Sequence, residues 1–202
     1  KVFDDLLRAG QPIDLNIDPE HRTVGPALGL QRALTATVNQ GQYDLLYSFP
    51  NSASEPVQRR AGFRVLGDLG RWAKPLSVGK TLSTRIQNRL ARRAAAALVG
   101  PALKLTSPET FYRRPADIRV QVNDRFDRRF DTLWETAAER FPVVGERTAK
   151  YLTWRFGRCP DTDYRVLCIS NQQDELLAYL VYRQHGTMIL IGDIFFADPR
   201  HI

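Results

Sequence analysis

The 202-residue chain is 43% hydrophobic and 25% charged, which suits one or two globular units and is too apolar for a disordered tail. No run of about 18 apolar residues occurs, which argues against an apolar membrane-spanning helix. Its two cysteines, Cys159 and Cys168, lie outside any CxxC or Cys/His cluster, so neither a disulfide framework nor a metal-ligand spacing is present.

The net charge of +7 is unevenly placed. Residues 1–76 carry nine Lys/Arg against eight Asp/Glu, residues 77–117 eight against two, and residues 118–202 twelve against twelve. The basicity belongs to the middle segment and says little about either flank.

Residues 1–10 show no clear period and no signal-peptide pattern, and the chain opens on Lys1, so it reads as a piece of a longer protein with a frayed lead-in. In residues 11–18, Ile13, Leu15 and Ile17 alternate with Asp14, Asn16 and Asp18, the period of a half-buried strand. Pro19 stops it. Arg22 opens a helix expected to reach Gln40, with Leu28, Leu30, Leu34 and Val38 as its apolar positions and Gly41 as its stop. Gly25 and Ala27 leave almost no side chain over the first turn, where free N–H groups and the positive end of the helix dipole favour an anion. The same residues equally suit a plain strand–turn–helix packed closely.

Residues 43–49, YDLLYSF, have the density of a buried strand. Pro50 and Asn51 turn the chain into a short polar helix over 52–61, which Gly62 ends. A further strand is expected from Phe63 to Val65, with strand and loop through Trp72 and Pro75.

Residues 17–27, IDPEHRTVGPA, resemble motif A of the GNAT N-acetyltransferases, apolar-x-Pro-x-x-(Gln/Arg)-x-x-Gly-x-(Gly/Ala), with Ile17, Pro19, Arg22, Gly25 and Ala27 on pattern positions. Asn51, Ser54, Gly62 and Phe63 resemble a second GNAT pattern, Asn-x-x-(Ala/Ser)…Gly-Phe, with Asn twelve residues before Phe. The string from Phe49 to Leu76 is similar to a bacterial GNAT subgroup. The resemblance implies an α/β (α+β) GNAT fold with a mixed central sheet flanked by helices. It implies acetyl-CoA as co-substrate and no metal, and a cytoplasmic setting would supply that thioester. Backbone N–H groups of Thr23, Val24, Gly25, Pro26 and Ala27 would hold the pyrophosphate, with Arg22 supporting the loop. The oxyanion donor would lie near Ile17, Asn51 and Ser54 would border the CoA, and the pantetheine arm would enter between two splayed strands. Many members carry a Tyr five residues before the Gly-Phe aromatic as general acid; here that position is Gln58, which cannot act as one. Tyr47 is the substitute on the neighbouring strand, with core packing as its other reading. Asp14 and Gln11 are candidates for the acceptor side, where a base must deprotonate the attacking amine. Glu20 and His21 face solvent in this reading.

Over residues 77–106, TLSTRIQNRLARRAAAALVG reads as a helix with Leu82, Ile86 and Leu90 on one face and Arg85, Arg89, Arg92 and Arg93 opposite. Such a face suits anionic lipid or nucleic acid, or a solvated connector; no aromatic residue interleaves with the arginines. Residues 107–122 read as a Pro-containing linker. Residues 127–141 form an amphipathic helix with Phe130, Leu133 and Trp134 inward, and residues 147–156 a second short helix. Strands follow over 164–169, 176–182 and 188–196, the first two joined by a polar turn at 171–175. His185 sits at a hairpin turn and His201 at the chain end, so neither suggests a triad, and the cysteines are expected to pack as small hydrophobes.

Two helices followed by three strands is the order of the opening half of a GNAT fold, and FDTLW…RTAKYLTWRF…P…YRVL resembles the second unit of tandem GNAT proteins. The organisation so implied is a C-terminal half-unit over 1–76, a basic helical linker over 77–117 and an N-terminal half-unit over 118–202. The implied activity is transfer of an acyl group from acyl-CoA to an amine of a small molecule or amino sugar. A non-catalytic CoA-binding module is the alternative, and a Fem-type aminoacyl transferase using charged tRNA a further one.

Overall fold

Two short parallel strands organise the first part of the chain. β1 (Ala9–Gly10) pairs with β2 (Leu45–Leu46), and α1 (Val24–Asn39) connects them. The structure is a computed structural model describing residues 1–3, 5–70, 72–75, 88, 90, 115–123 and 125–198. The expected basic helix, its arginine face and His201 lie almost wholly outside these residues. The chain divides into two compact units, Lys1–Gly70 with Pro142–Val144, and Arg71–Phe141 with Gly145–Ile202. No helix among the described residues is long and apolar enough to cross a membrane.

In the first unit, Arg8 and Asp44 clamp the strand pair at its start. The Arg8 amide donates to Asp44 Oδ2 at 2.7 Å, and its guanidinium reaches Oδ1 at 3.3 Å. These bonds, the backbone one foremost, hold the Asp44 carboxyl below its usual value. β1 contains Gly10 because a Cβ there would stand 2.6 Å from Leu46 Cδ2. Gly41, at φ +70°, lets the chain turn after α1 in a conformation that β-carbons disfavour. α2 (Glu55–Arg60) packs on α1 and ends at Gly62, φ +100°. The inward face of α1 carries Ala27 and Gln31, both buried, followed by half-buried Leu34 and Val38; Leu30 stays 49% exposed.

Several expected strands of this unit are much shorter or absent. Residues 11–18 form none, although their apolar alternation is strand-like; Asp14 lies at φ +55°, the left-handed region, and bends the segment. The strand expected over 43–49 is reduced to Leu45–Leu46, and Phe63 to Val65 is not a strand. The helix expected over 52–61 begins only at Glu55, because Asn51 Oδ1 accepts from the amides of Ala53 and Ser54 and closes a turn first.

The second unit is a mixed α/β layer: a four-stranded antiparallel sheet of order β3-β4-β5-β6 with helices against it. Its strands are β3 (Arg119–Asn123), β4 (Arg165–Ser170), β5 (Leu176–His185) and β6 (Met188–Phe196). β3 corrects the linker reading of 107–122: Val120 and Val122 alternate with polar neighbours and pair with Ile169 and Leu167. A strand therefore precedes the two helices. α3 (Arg128–Ala137) is capped by Asp127, and α4 (Ala149–Leu152) by Thr148 before the chain widens into a π turn over Thr153–Gly157. Asp131 joins the helices by accepting the Ala149 amide at 2.8 Å.

Phe130, Leu133 and Ala137 of α3, with Leu152 and Phe156, bury against Cys168, Tyr179, Val181 and Phe195 of the sheet. The Phe130 and Tyr179 rings meet at 5.1 Å, and Phe130 is fully buried. Phe130→Ala should therefore cost about 3–5 kcal/mol in urea denaturation of the full chain. A cost below about 1 kcal/mol would place the core of this unit elsewhere.

Candidate functional site

The site is built where β1 and β2 part. The last bond joining them runs from the Tyr47 amide to the Gly10 carbonyl, 3.0 Å. Beyond it, residues 11–16 and 48–50 make no backbone hydrogen bond with any described residue. A cleft of about 970 Å³ opens between the two segments, with α1 along it from Leu30 to Thr37. Its walls include Ile13 and Phe49, respectively 66% and 62% exposed. Unpaired peptide groups beside exposed apolar side chains suit a linear ligand that is part amide and part hydrocarbon.

Polar groups collect in the same cleft. Ser48 donates to Gln58 Oε1 at 2.5 Å, and Gln58 is buried. Gln31 is 1% exposed and its Oε1 has no hydrogen-bond partner among the described residues. Gln31 was not among the residues singled out from sequence. The signal was its spacing four residues after Ala27 and three before Leu34, on the inward face of α1 rather than on the stripe drawn through Leu30.

Of the residues proposed from sequence, Gln11, Asp14, Asn51 and Ser54 line the cleft. Tyr47 lies beside it and donates through its hydroxyl to Gln11 Oε1 at 3.2 Å. It is 38% exposed, so it is not a packed core residue. Asn51 and Ser54 spend polar groups on each other: the Ser54 amide donates to Asn51 Oδ1 at 2.9 Å, and the hydroxyl lies 3.0 Å from the same atom.

Ile17, Arg22 and residues 23–27 are not in the cleft lining. Around them, Asp18 Oδ1 caps a single 3-10 turn by accepting the Glu20 amide, and Arg22 Nε donates to the Ile17 carbonyl at 2.9 Å. The expectation of amide donors throughout residues 23–27 needs correction. The Thr23 amide is used by the His21 carbonyl at 2.7 Å, Pro26 has no N–H, and Ala27 begins the i→i−4 pattern. Val24 and Gly25 have amides without a partner among the described residues, at a helix start with no side-chain cap and no acidic residue in its first turn. Among the described residues a Cβ on Gly25 would meet only Thr23 Oγ1, at 3.8 Å, so their packing does not require glycine there.

The second unit holds a partly buried charge cluster that the sequence reading did not find. Arg147 reaches both carboxylate oxygens of Asp193, with Nη2 to Oδ1 at 3.0 Å, and Tyr179 donates to Oδ2 at 2.8 Å. Burial first, then the Asp193 charge, push the Tyr179 hydroxyl far above its usual value, so it stays a donor. Arg147 also stacks over Phe195 at 5.1 Å, which makes the cluster a brace between sheet and loop. Cys168 is buried under α3 and pushed up to about 11 by that burial, the behaviour of a small hydrophobe. Among the described residues no group of three or more His, Cys, Asp or Glu is arranged to hold a metal.

No protein-family model and no curated protein matches this chain.

The Ser48–Gln58 bond makes a specific prediction. Ser48→Ala leaves a buried carbonyl without its donor and should lower full-chain stability by about 1–3 kcal/mol, whereas Ser48→Thr should retain most of it. Equal stability of the two variants in urea denaturation would show that the bond contributes nothing.

Proposed function

We propose that the chain belongs to an acyl-CoA-dependent N-acyltransferase of the GNAT type, with the cleft of the first unit receiving the pantetheine arm. The observation that carries this reading is the parallel strand pair that parts after Gly10 and Leu46, with α1 crossing between its strands. The motif resemblance at residues 17–27 and 51–63 supports it independently. In the second unit, two helices followed by three antiparallel strands have the order expected of the opening half of that fold, with β3 as a further strand before them.

The residues fit the co-substrate in three respects. The Val24 and Gly25 amides suit a pyrophosphate, among the described residues only Thr23 Oγ1 comes near the space over Gly25, and the cleft offers unpaired amide groups to a linear arm. Bound acetyl-CoA would supply an activated acyl carbonyl; an amine then displaces the thiol, the C–N bond forming as the C–S bond breaks. Asp14, in the cleft and bent into the left-handed region, accepts the proton the amine releases. Gln11 and Tyr47, hydrogen-bonded to one another, orient the acceptor beside it. The departing thiolate takes its proton from water, since Gln58 has no acidic proton and is tied to Ser48.

That last point favours a second reading, a CoA-binding unit without catalysis, which shares the same cleft. Calorimetry of the full chain with acetyl-CoA tests what both readings share: saturable binding is expected, and Gly25→Glu should abolish it by placing a carboxylate among the phosphates. An intact chain that takes up no acetyl-CoA contradicts both. Thioester cleavage with an amine panel separates them: Asp14→Asn should lower the rate by about 10²–10⁴-fold while leaving binding intact. An unchanged rate removes Asp14 from the chemistry.

A further inference from the structure

A buried carbonyl without a partner is unfavourable: desolvating it costs about 1–3 kcal/mol that no intramolecular bond returns. Gln31 carries that cost on a helix face where an apolar residue would fit, since its neighbours on the face are Ala27, Leu34 and Val38. The other buried glutamine of the cleft differs, because Gln58 Oε1 is satisfied by Ser48. Among the described residues Gln31 is thus the acceptor left over, and it lines the cleft whose walls are unpaired backbone and exposed Ile13 and Phe49.

We infer that Gln31 is a specificity residue, whose Oε1 accepts a hydrogen bond from an amide N–H of the ligand arm in the cleft. This rests on the CoA reading above and deepens it, because it assigns the recognition of the arm to a side chain of α1. The group it recognises must be a donor. An alkyl chain would leave Oε1 unsatisfied, and a carboxylate or a phosphate would repel it. Of the parts of CoA, the pantetheine arm carries two secondary amides, whereas its nucleotide end has phosphates that suit the Val24 and Gly25 amides instead. The two ends of the ligand are therefore recognised by different stretches of α1: the first turn by charge and dipole, the inward face by one neutral acceptor.

The full chain and its Gln31→Met variant, a substitution of similar length and volume, test this by calorimetry with two ligands. CoA carries the arm, and adenosine 3′,5′-bisphosphate lacks it. The expected result is about tenfold weaker CoA binding by Gln31→Met, with adenosine 3′,5′-bisphosphate bound as by the original chain. The unliganded variant should also melt at a higher temperature, since the orphaned acceptor is gone. Unchanged CoA affinity in the variant overturns the role of Gln31 and leaves the CoA reading standing. A parallel loss for both ligands, or a lower melting temperature of the unliganded variant, shows a structural role and overturns it as well. Failure of the original chain to bind either ligand overturns the CoA reading itself, and this inference with it.

Discussion

The first unit depends on the point at which its two parallel strands stop being hydrogen-bonded. Two ladder positions, Ala9 with Leu45 and Gly10 with Leu46, hold the backbones together, and the Tyr47 amide to the Gly10 carbonyl closes the pair. Continuing the ladder would have satisfied the peptide groups of residues 11–16 and 48–50 and left no cleft. Instead Asp14 bends one segment at φ +55°, and Pro50 and the Asn51 turn carry the other away. Peptide groups released in this way need water or a ligand. The chain has thereby exchanged strand length for an opening lined with donors, acceptors and exposed side chains.

The helical parts of this arrangement were legible because helix ends are marked by local chemistry. Gly41 and Gly62 both adopt positive φ where the sequence placed stops, and Asp127 and Thr148 cap where polar residues precede apolar periods. Strands were less legible. The alternation of Ile13, Leu15 and Ile17 reports a face, but a strand also needs a partner, and no residue among 11–18 announces that Ser48 and Phe49 will be out of reach. The opposite error occurred at residues 119–123, where Val120 and Val122 alternate over a short run and Pro115 drew the reading toward a linker; pairing with β4 makes it a strand. Gln31 is hard to read for a third reason: as a polar residue it does not count toward an apolar stripe, so its spacing from Ala27 and Leu34 marks the inward face only once the packing is seen. The Arg147–Asp193–Tyr179 brace joins residues up to 46 positions apart, which no local pattern encodes.

The two units differ in how much they bury. In the second, Phe130, Leu152, Tyr179, Val181 and Phe195 form an aromatic-rich core. In the first, the buried residues among those described are Ala27, Gln31 and Gln58, while Leu6, Ile13, Phe49 and Leu66 are exposed. So small an apolar core supplies little stabilisation, which places the cleft in a weakly protected unit. A ligand of this cleft would then have a large relative effect: at a hundredfold excess over Kd it would add about 2.7 kcal/mol.

If, as proposed, the opening between residues 11–16 and 48–50 receives a linear amide-bearing arm, that arm should shield both segments. Amide hydrogen exchange of the full chain, with and without saturating acetyl-CoA, addresses it directly. Peptides spanning 11–16 and 48–50 should gain protection on binding while those of β4 and β5 exchange as before. Saturable binding with no change in those two segments, or with protection confined to the second unit, would contradict it.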